Sequence, residues 1–411
     1  MGDIYCRDRH DMQIRQSTTI LRGIYIGTMA AQVSSPSSHP LAQTTQAQDA
    51  PLLFDAVPYT PQVPLSAPYP PSTTFPLALT PSNPAAPISE KVSAIRTLTQ
   101  NNTLSSLLHA HSAIYFKDLN LTSAEEFSAF ASAFGWIPHE DIGNPVRRTI
   151  HAYNVATANE GPNTQPVYPH NEFGLSPHFP KWVLFYCASA PETGGETPIN
   201  NSVILYERLL QKQPKFIAAL DEKGVKYQLF YPNTAKDQTS SPGTSVRQSY
   251  GKNVLDSDTV EEARAKIENE IRRLPTATWV WENQSADNEL GDLRVWQVLP
   301  AIRTHQDSGR PAFFNNIVSR FLNALVADTL RPPHVTAEGR YQPPAFYGDG
   351  SLIPDEYLHS AVEIIQETRA LVSWTKGDVL LLDNHAVQHA REPWTGPRKL
   401  LASLWDEPAK A

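Results

Sequence analysis

Pro169-His-Asn-Glu172, followed ten residues later by the apolar run Trp182-Val-Leu-Phe-Tyr-Cys-Ala188, sets a short polar triplet beside a strand without a polar face. A continuous apolar run of this length fits a strand buried on both sides. On extended backbone, residues two apart project to the same face, so His170 and Glu172 point the same way. An imidazole and a carboxylate placed like this suit two adjacent ligands of one ion.

Two histidines and one carboxylate on one side of an iron(II) ion leave the other side open to a co-substrate and dioxygen, the arrangement of non-haem iron oxygenases. The third ligand then has to come from elsewhere in the chain. Taken alone, the triplet equally fits a solvated strand or loop.

Outward from it, β-prone stretches alternate with loops at residues 113–117, 149–156, 225–231, 278–281, 293–302, 378–383 and 399–405. Several short strands with long connections predict a mainly β fold, a barrel or double-sheet jelly roll. Apolar residues at helical spacing predict helical additions at 89–109, 203–220, 259–274 and 355–371, read as packing faces. Thr122 with Glu125 three residues on reads as a capping box, ahead of an aromatic face of Phe127, Phe130 and Phe134. Internal repeats, heptads, a Gly-rich phosphate loop and a G-x-S-x-G elbow are absent from the sequence.

Thirteen of the 36 prolines fall between Pro36 and Pro87, whereas all eight tryptophans lie at or after Trp136. Residues 1–88 are therefore expected to be disordered or irregular, with Tyr59, Tyr69 and Phe75 able to lay part of the segment over a domain spanning 89–411. The Arg-bearing, mildly apolar start, residues 1–28, leaves organellar targeting open, with Met29 as an alternative start. Otherwise a cytoplasmic protein is expected. Cys6 and Cys187 are too few for a disulfide framework and lack zinc-site spacing, and Cys187 reads as a core residue. A net charge of −8 and a pI near 5.9 argue against a nucleic-acid partner, and no apolar stretch reaches the length of a membrane span.

Four stretches, Thr157-Ala-Asn-Glu160, His170-Asn-Glu172, Leu184-Phe-Tyr186 and Gly194-Gly-Glu-Thr-Pro-Ile199, resemble the taurine dioxygenase/TfdA superfamily, its clavaminate synthase-like branch in particular. Far downstream, Lys376-Gly-Asp-Val-Leu-Leu-Leu-Asp-Asn-His-Ala-Val-Gln-His-Ala-Arg391 and Arg398-Lys-Leu-Leu-Ala-Ser403 resemble its closing segment. The resemblance implies a double-stranded β-helix, a jelly roll of the clavaminate synthase-like type. It also implies an oxidoreductase that uses Fe(II), 2-oxoglutarate and dioxygen on a small-molecule substrate, amino-acid-like or a secondary metabolite. 2-Oxoglutarate would leave as succinate and carbon dioxide as a substrate C–H bond is oxidised.

Carried over residue by residue, the resemblance makes His170, Glu172 and His389 both the metal ligands and the catalytic set. His385, four residues before His389, and His178 are expected near the site but not on the metal. Thr197 and Arg398 match the positions that hold the far carboxylate of 2-oxoglutarate, which wants the planar donor fork of arginine. Lys399 is the alternative, one residue along. Asn159, Asn315 and Arg391 match positions bordering the substrate pocket; Arg391 reads equally as a counter-ion or a structural salt bridge. The usual triplet of the superfamily is H-x-D, and here it is H-x-E. A retained carboxylate favours hydroxylation over halogenation. Two rivals stand beside this reading: a jumonji-type hydroxylase or demethylase, and a cupin-like barrel that binds without turnover.

Overall fold

The computed structural model of the protein describes residues 54–143, 148–158, 161–233 and 245–408. The strand Trp182–Ser189 is buried from Trp182 to Cys187 and pairs antiparallel with Val379–Asp383 on one side and Lys399–Asp406 on the other. Its side chains alternate between two cores. Leu184 and Tyr186, with Val379, Leu381 and Leu401, meet Phe127, Phe130 and Phe134 on the helix-covered face. Val183, Phe185 and Cys187, with Leu380, Leu382 and Ala402, meet Ile199, Val387 and Val372 of a second sheet. Because both faces are covered, these strands read as unbroken apolar runs instead of alternating ones.

That second sheet runs Ala370–Val372, Thr197–Asn201, Val387–Arg391, Val167–His170 in spatial order. Two sheets packed through one shared core form the jelly roll, and the smaller sheet carries the site. A third sheet, Ala277–Glu282, Asp292–Leu299, Val225–Tyr231 and Phe346–Tyr347, joins the helix Val260–Ile271 and its neighbours around separate apolar clusters.

The expected boundary at residue 89 is corrected by the strands before it. Phe54–Ala56 pairs with Leu77–Pro81, which runs parallel to Ala113–Phe116 and extends the main sheet. Phe54 and Phe75 are fully buried, and Tyr69 bonds Ser112 Oγ at 3.1 Å. Proline is tolerated in edge strands and turns, so a Pro-rich composition is compatible with order once a few large apolar anchors lie between the prolines. The folded part therefore reaches back at least to Phe54; residues 1–53 lie outside the described residues.

Three helical expectations shift in detail. The helix expected over 89–109 divides into Ile88–Gln100 and Thr103–His111, separated by Asn102 at φ 63°, and that over 203–220 divides at Gln213, where Pro214 opens the second helix. Asparagine tolerates the left-handed region and proline suits a first helical turn. The expected capping box is one residue out of register: Ser123 caps Ala124–Ser132 by accepting from Glu126 N–H, while Glu126 accepts from the Thr122 N–H and hydroxyl. No helix among the described residues is long and apolar enough to cross a membrane.

Candidate metal centre

His170 ends its strand directly opposite His389 of Val387–Arg391, and Ile199 lies opposite His389 on the other side. Glu172 follows in a turn just past the strand end. Its Oε2 stands 3.7 Å from His170 Nε2 and 3.3 Å from His389 Nε2. Ligand atoms bonded at about 2 Å to one six-coordinate ion stand about 3 Å from each other at right angles. Small side-chain rotations would therefore suffice to place the three atoms around a common ion.

The protonation states agree with that fit. His170 Nδ1 lies 2.8 Å from the Tyr168 carbonyl, an acceptor only, so Nδ1 donates there and Nε2 is the ring nitrogen turned toward the centre. Burial, then the neighbouring His170 ring, pushes the His389 imidazolium down to about 4, leaving the neutral form that ligates metals. Burial alone would favour the neutral acid at Glu172. The Arg148 guanidinium, hydrogen-bonded to its Oε1, together with the His170 and His389 rings at the other oxygen, outweighs burial and holds this carboxyl well below the usual range.

A layer of buried amides locks the triplet to the distal segment. Asn384 accepts the Glu172 N–H through Oδ1 at 2.8 Å and donates from Nδ2 to the carbonyls of Glu172 and Pro180 at 2.9 and 2.8 Å. Asn171, between the two candidate ligands, points away from them and donates to the carbonyls of Asn384 and Val387 at 2.8 and 3.1 Å. Its Oδ1 accepts from the Asn315 N–H and Gln388 Nε2 at 3.1 and 3.2 Å. These polar atoms are fully withdrawn from solvent yet partnered, the condition under which such a network confers rigidity.

His170, Glu172 and His389 open on a cavity of about 190 Å³ that Thr197, Arg391 and Arg398 also line. Arg398 donates Nε–H to the Gly195 carbonyl at 2.9 Å and forms no ion pair among the described residues. Burial and the nearby Arg391 charge push its guanidinium down to about 10. Lys399, the next residue, is exposed. Thr197 is buried, and its oxygen accepts Trp374 Nε1–H at 3.0 Å, which leaves the hydroxyl proton to donate. Arg391 donates to the carbonyls of Gln165 and Pro162 at 2.9 and 3.2 Å, on the cavity wall.

Other expected positions fall elsewhere. Asn315 is not in the cavity wall: its amide donates to the Ala301 carbonyl at 3.0 Å and accepts the Ile317 N–H, and it is the next residue, Asn316, that lines the cavity. Asn159 lies outside the described residues. His385 and His178 line a separate cavity of about 320 Å³. Two further His and Asp groupings, around His139 and around His305, use ring nitrogens in hydrogen bonds to Asp406 and Asp383. Arg148, which pairs with Glu172, carries no motif and was not singled out from the sequence.

The family model described as taurine catabolism dioxygenase TauD, TfdA family matches residues 79–405. A clavaminate synthase-like protein of Arabidopsis thaliana is 32% identical over 340 residues, covering 81% of this chain and 94% of that protein. The chain belongs to the TauD, TfdA family. As a member of this Fe(II)- and 2-oxoglutarate-dependent family it is an oxidoreductase, which sets aside the jumonji-type and cupin-like rivals. The dapdiamide synthesis protein DdaC of Enterobacter agglomerans is 24% identical over 322 residues, covering 74% of this chain and 85% of that protein. A solved taurine dioxygenase from Burkholderia xenovorans superimposes with a TM-score of 0.43 at 14% identity, covering 84% of this chain and 89% of that one.

Proposed function

We propose that this family member binds Fe(II) through His170, Glu172 and His389 and hydroxylates a C–H bond of a small organic substrate, consuming 2-oxoglutarate and dioxygen. The observation that carries the reading is the convergence of two imidazole Nε2 atoms and one carboxylate oxygen on a cavity that also holds a buried threonine and an arginine without an ion pair among the described residues. The bound iron and 2-oxoglutarate would supply the oxidising chemistry. The protein would supply ligation and orientation: Arg398 fixes the far carboxylate with the donors not used on Gly195, and Thr197 adds its hydroxyl proton. Phe185, Val167 and Leu400 in the cavity wall limit water at the centre. Glu172 keeps a carboxylate at the metal, which favours hydroxylation over chloride entry.

Anaerobic addition of Fe(II) and 2-oxoglutarate to the purified protein should produce the visible charge-transfer band of a chelated 2-oxo acid. Admission of oxygen together with the right substrate should then release succinate. Candidate amino acids, sulfonates and secondary metabolites can be ranked by how they perturb that band. A protein that binds iron tightly but never gives the band with 2-oxoglutarate would refute the proposal.

A further inference from the structure

Glutamate in place of aspartate at the triplet raises a coordination problem. The extra methylene gives the carboxylate freedom to swing both oxygens onto one ion, and a chelating carboxylate with two histidines fills four of six positions. A 2-oxo acid bound through two oxygens would take the remaining two. Dioxygen would then have no position.

The two oxygens of Glu172 are nevertheless treated differently. Oε2 faces both histidine rings at 3.7 and 3.3 Å, whereas Oε1 accepts a hydrogen bond from Nη2 of Arg148. Glu172 is only 6% exposed, and Asn384 holds its N–H and carbonyl, so the side chain swings from a fixed backbone. Arg148 lines the same cavity. Breaking this largely buried guanidinium–carboxylate bond is costly chiefly for Glu172, whose carboxylate would be left away from water without the arginine.

Resting on the iron and 2-oxoglutarate reading above, we propose that Arg148 is a positioning residue that keeps Glu172 monodentate. It ties down Oε1, so that only Oε2 reaches the metal and one coordination position stays open for dioxygen. Family resemblance and motif spacing assign no role to this residue; the hydrogen bond to Oε1 does.

The test uses nitric oxide as a dioxygen surrogate on the anaerobic complex of the full-length protein with Fe(II) and 2-oxoglutarate, read by the electron paramagnetic resonance of the iron–nitrosyl. The wild type should give the nitrosyl signal. Arg148→Met should still bind iron, because the released Glu172 Oε1 can join Oε2 on the ion, and still show the 2-oxoglutarate band, yet bind nitric oxide at least tenfold more weakly. Arg148→Lys, which restores a cationic donor, should recover most of the nitric oxide affinity. Should Arg148→Met fail to fold, Arg148→Gln makes the same comparison with Arg148→Lys. Unchanged nitric oxide binding in the neutral variant, or equal loss in the neutral and lysine variants, would overturn the assignment. Absence of the 2-oxoglutarate band in the wild type would instead overturn the functional reading itself, which separates the two failures.

Discussion

Replacing Asn384 by alanine should damage the centre although Asn384 touches neither metal nor substrate. The side chain is fully buried and makes three hydrogen bonds to main-chain groups: the N–H of Glu172 and the carbonyls of Glu172 and Pro180. Truncation strands all three away from water, and each stranded group costs about 1–3 kcal/mol. Water entering the vacated space would satisfy part of the deficit, so a net loss of about 3–5 kcal/mol is expected. At roughly 2 °C per kcal/mol for a fold of this size, the melting temperature should fall by about 6–10 °C. Loss of a group that orients a ligand typically weakens metal affinity about 10–100-fold. Thermal unfolding by circular dichroism and titration with Mn(II) under argon read the two effects separately. Asn384→Asp keeps the acceptor for Glu172 N–H but sets an anion against two carbonyls, and should be no more stable than the alanine variant. A melting temperature within about 2 °C of wild type together with unchanged metal affinity would refute the view that this amide holds the triplet in place.

Arg398→Ala should weaken 2-oxoglutarate binding by about 3 kcal/mol, more than a hundredfold, with iron binding retained; Arg398→Lys should recover only part, and Lys399→Ala should change nothing in a charge-transfer titration. Glu172→Ala should weaken iron and abolish hydroxylation, whereas His385→Ala should leave the iron titration unaltered, since His385 lines the other cavity. Burial pushes the His385 imidazolium down to about 4 from an ordinary 6.5, so between those values the folded protein binds fewer protons than the unfolded chain. Its contribution therefore lowers stability as pH falls from 6.5 toward 4. In His385→Gln, urea unfolding across that window should lose about 1.4 kcal/mol per pH unit of the wild-type slope; an unchanged slope would show that His385 does not titrate there.

The strands of the main sheet were legible because they are buried on both faces and so read as apolar runs, as at 378–383 against the observed Val379–Asp383; in the third sheet, where burial alternates along the strand, 225–231 is recovered to the residue as Val225–Tyr231. The three residues of the centre could be nominated because an H-x-E triplet and a distal histidine form a pattern that survives separation by more than two hundred residues. The Pro-rich segment misled because composition averages over a window, while order there depends on single anchors such as Phe54 and Phe75. Arg148 offered no signal, since an arginine in a loop is ordinarily a surface charge and only the fold brings it to Glu172.

The amide layer was within reach of a sharper reading. If His170 and Glu172 share a face, the residue between them must point the opposite way, into the protein beneath the centre. A polar residue there has to find partners or be expelled, because an unpartnered buried amide costs about as much as a lost hydrogen bond. Asn171 therefore implied a set of buried donors and acceptors that no apolar periodicity could reveal. The distal segment carries the matching pair, Asn384 and Gln388, four residues apart and each one residue away from a histidine. In the fold Asn171 donates to the Asn384 carbonyl and accepts from Gln388 Nε2, so the segment that delivers His389 also clamps the turn that delivers Glu172. The two motifs are coupled through their polar undersides, whatever the three side chains above them hold.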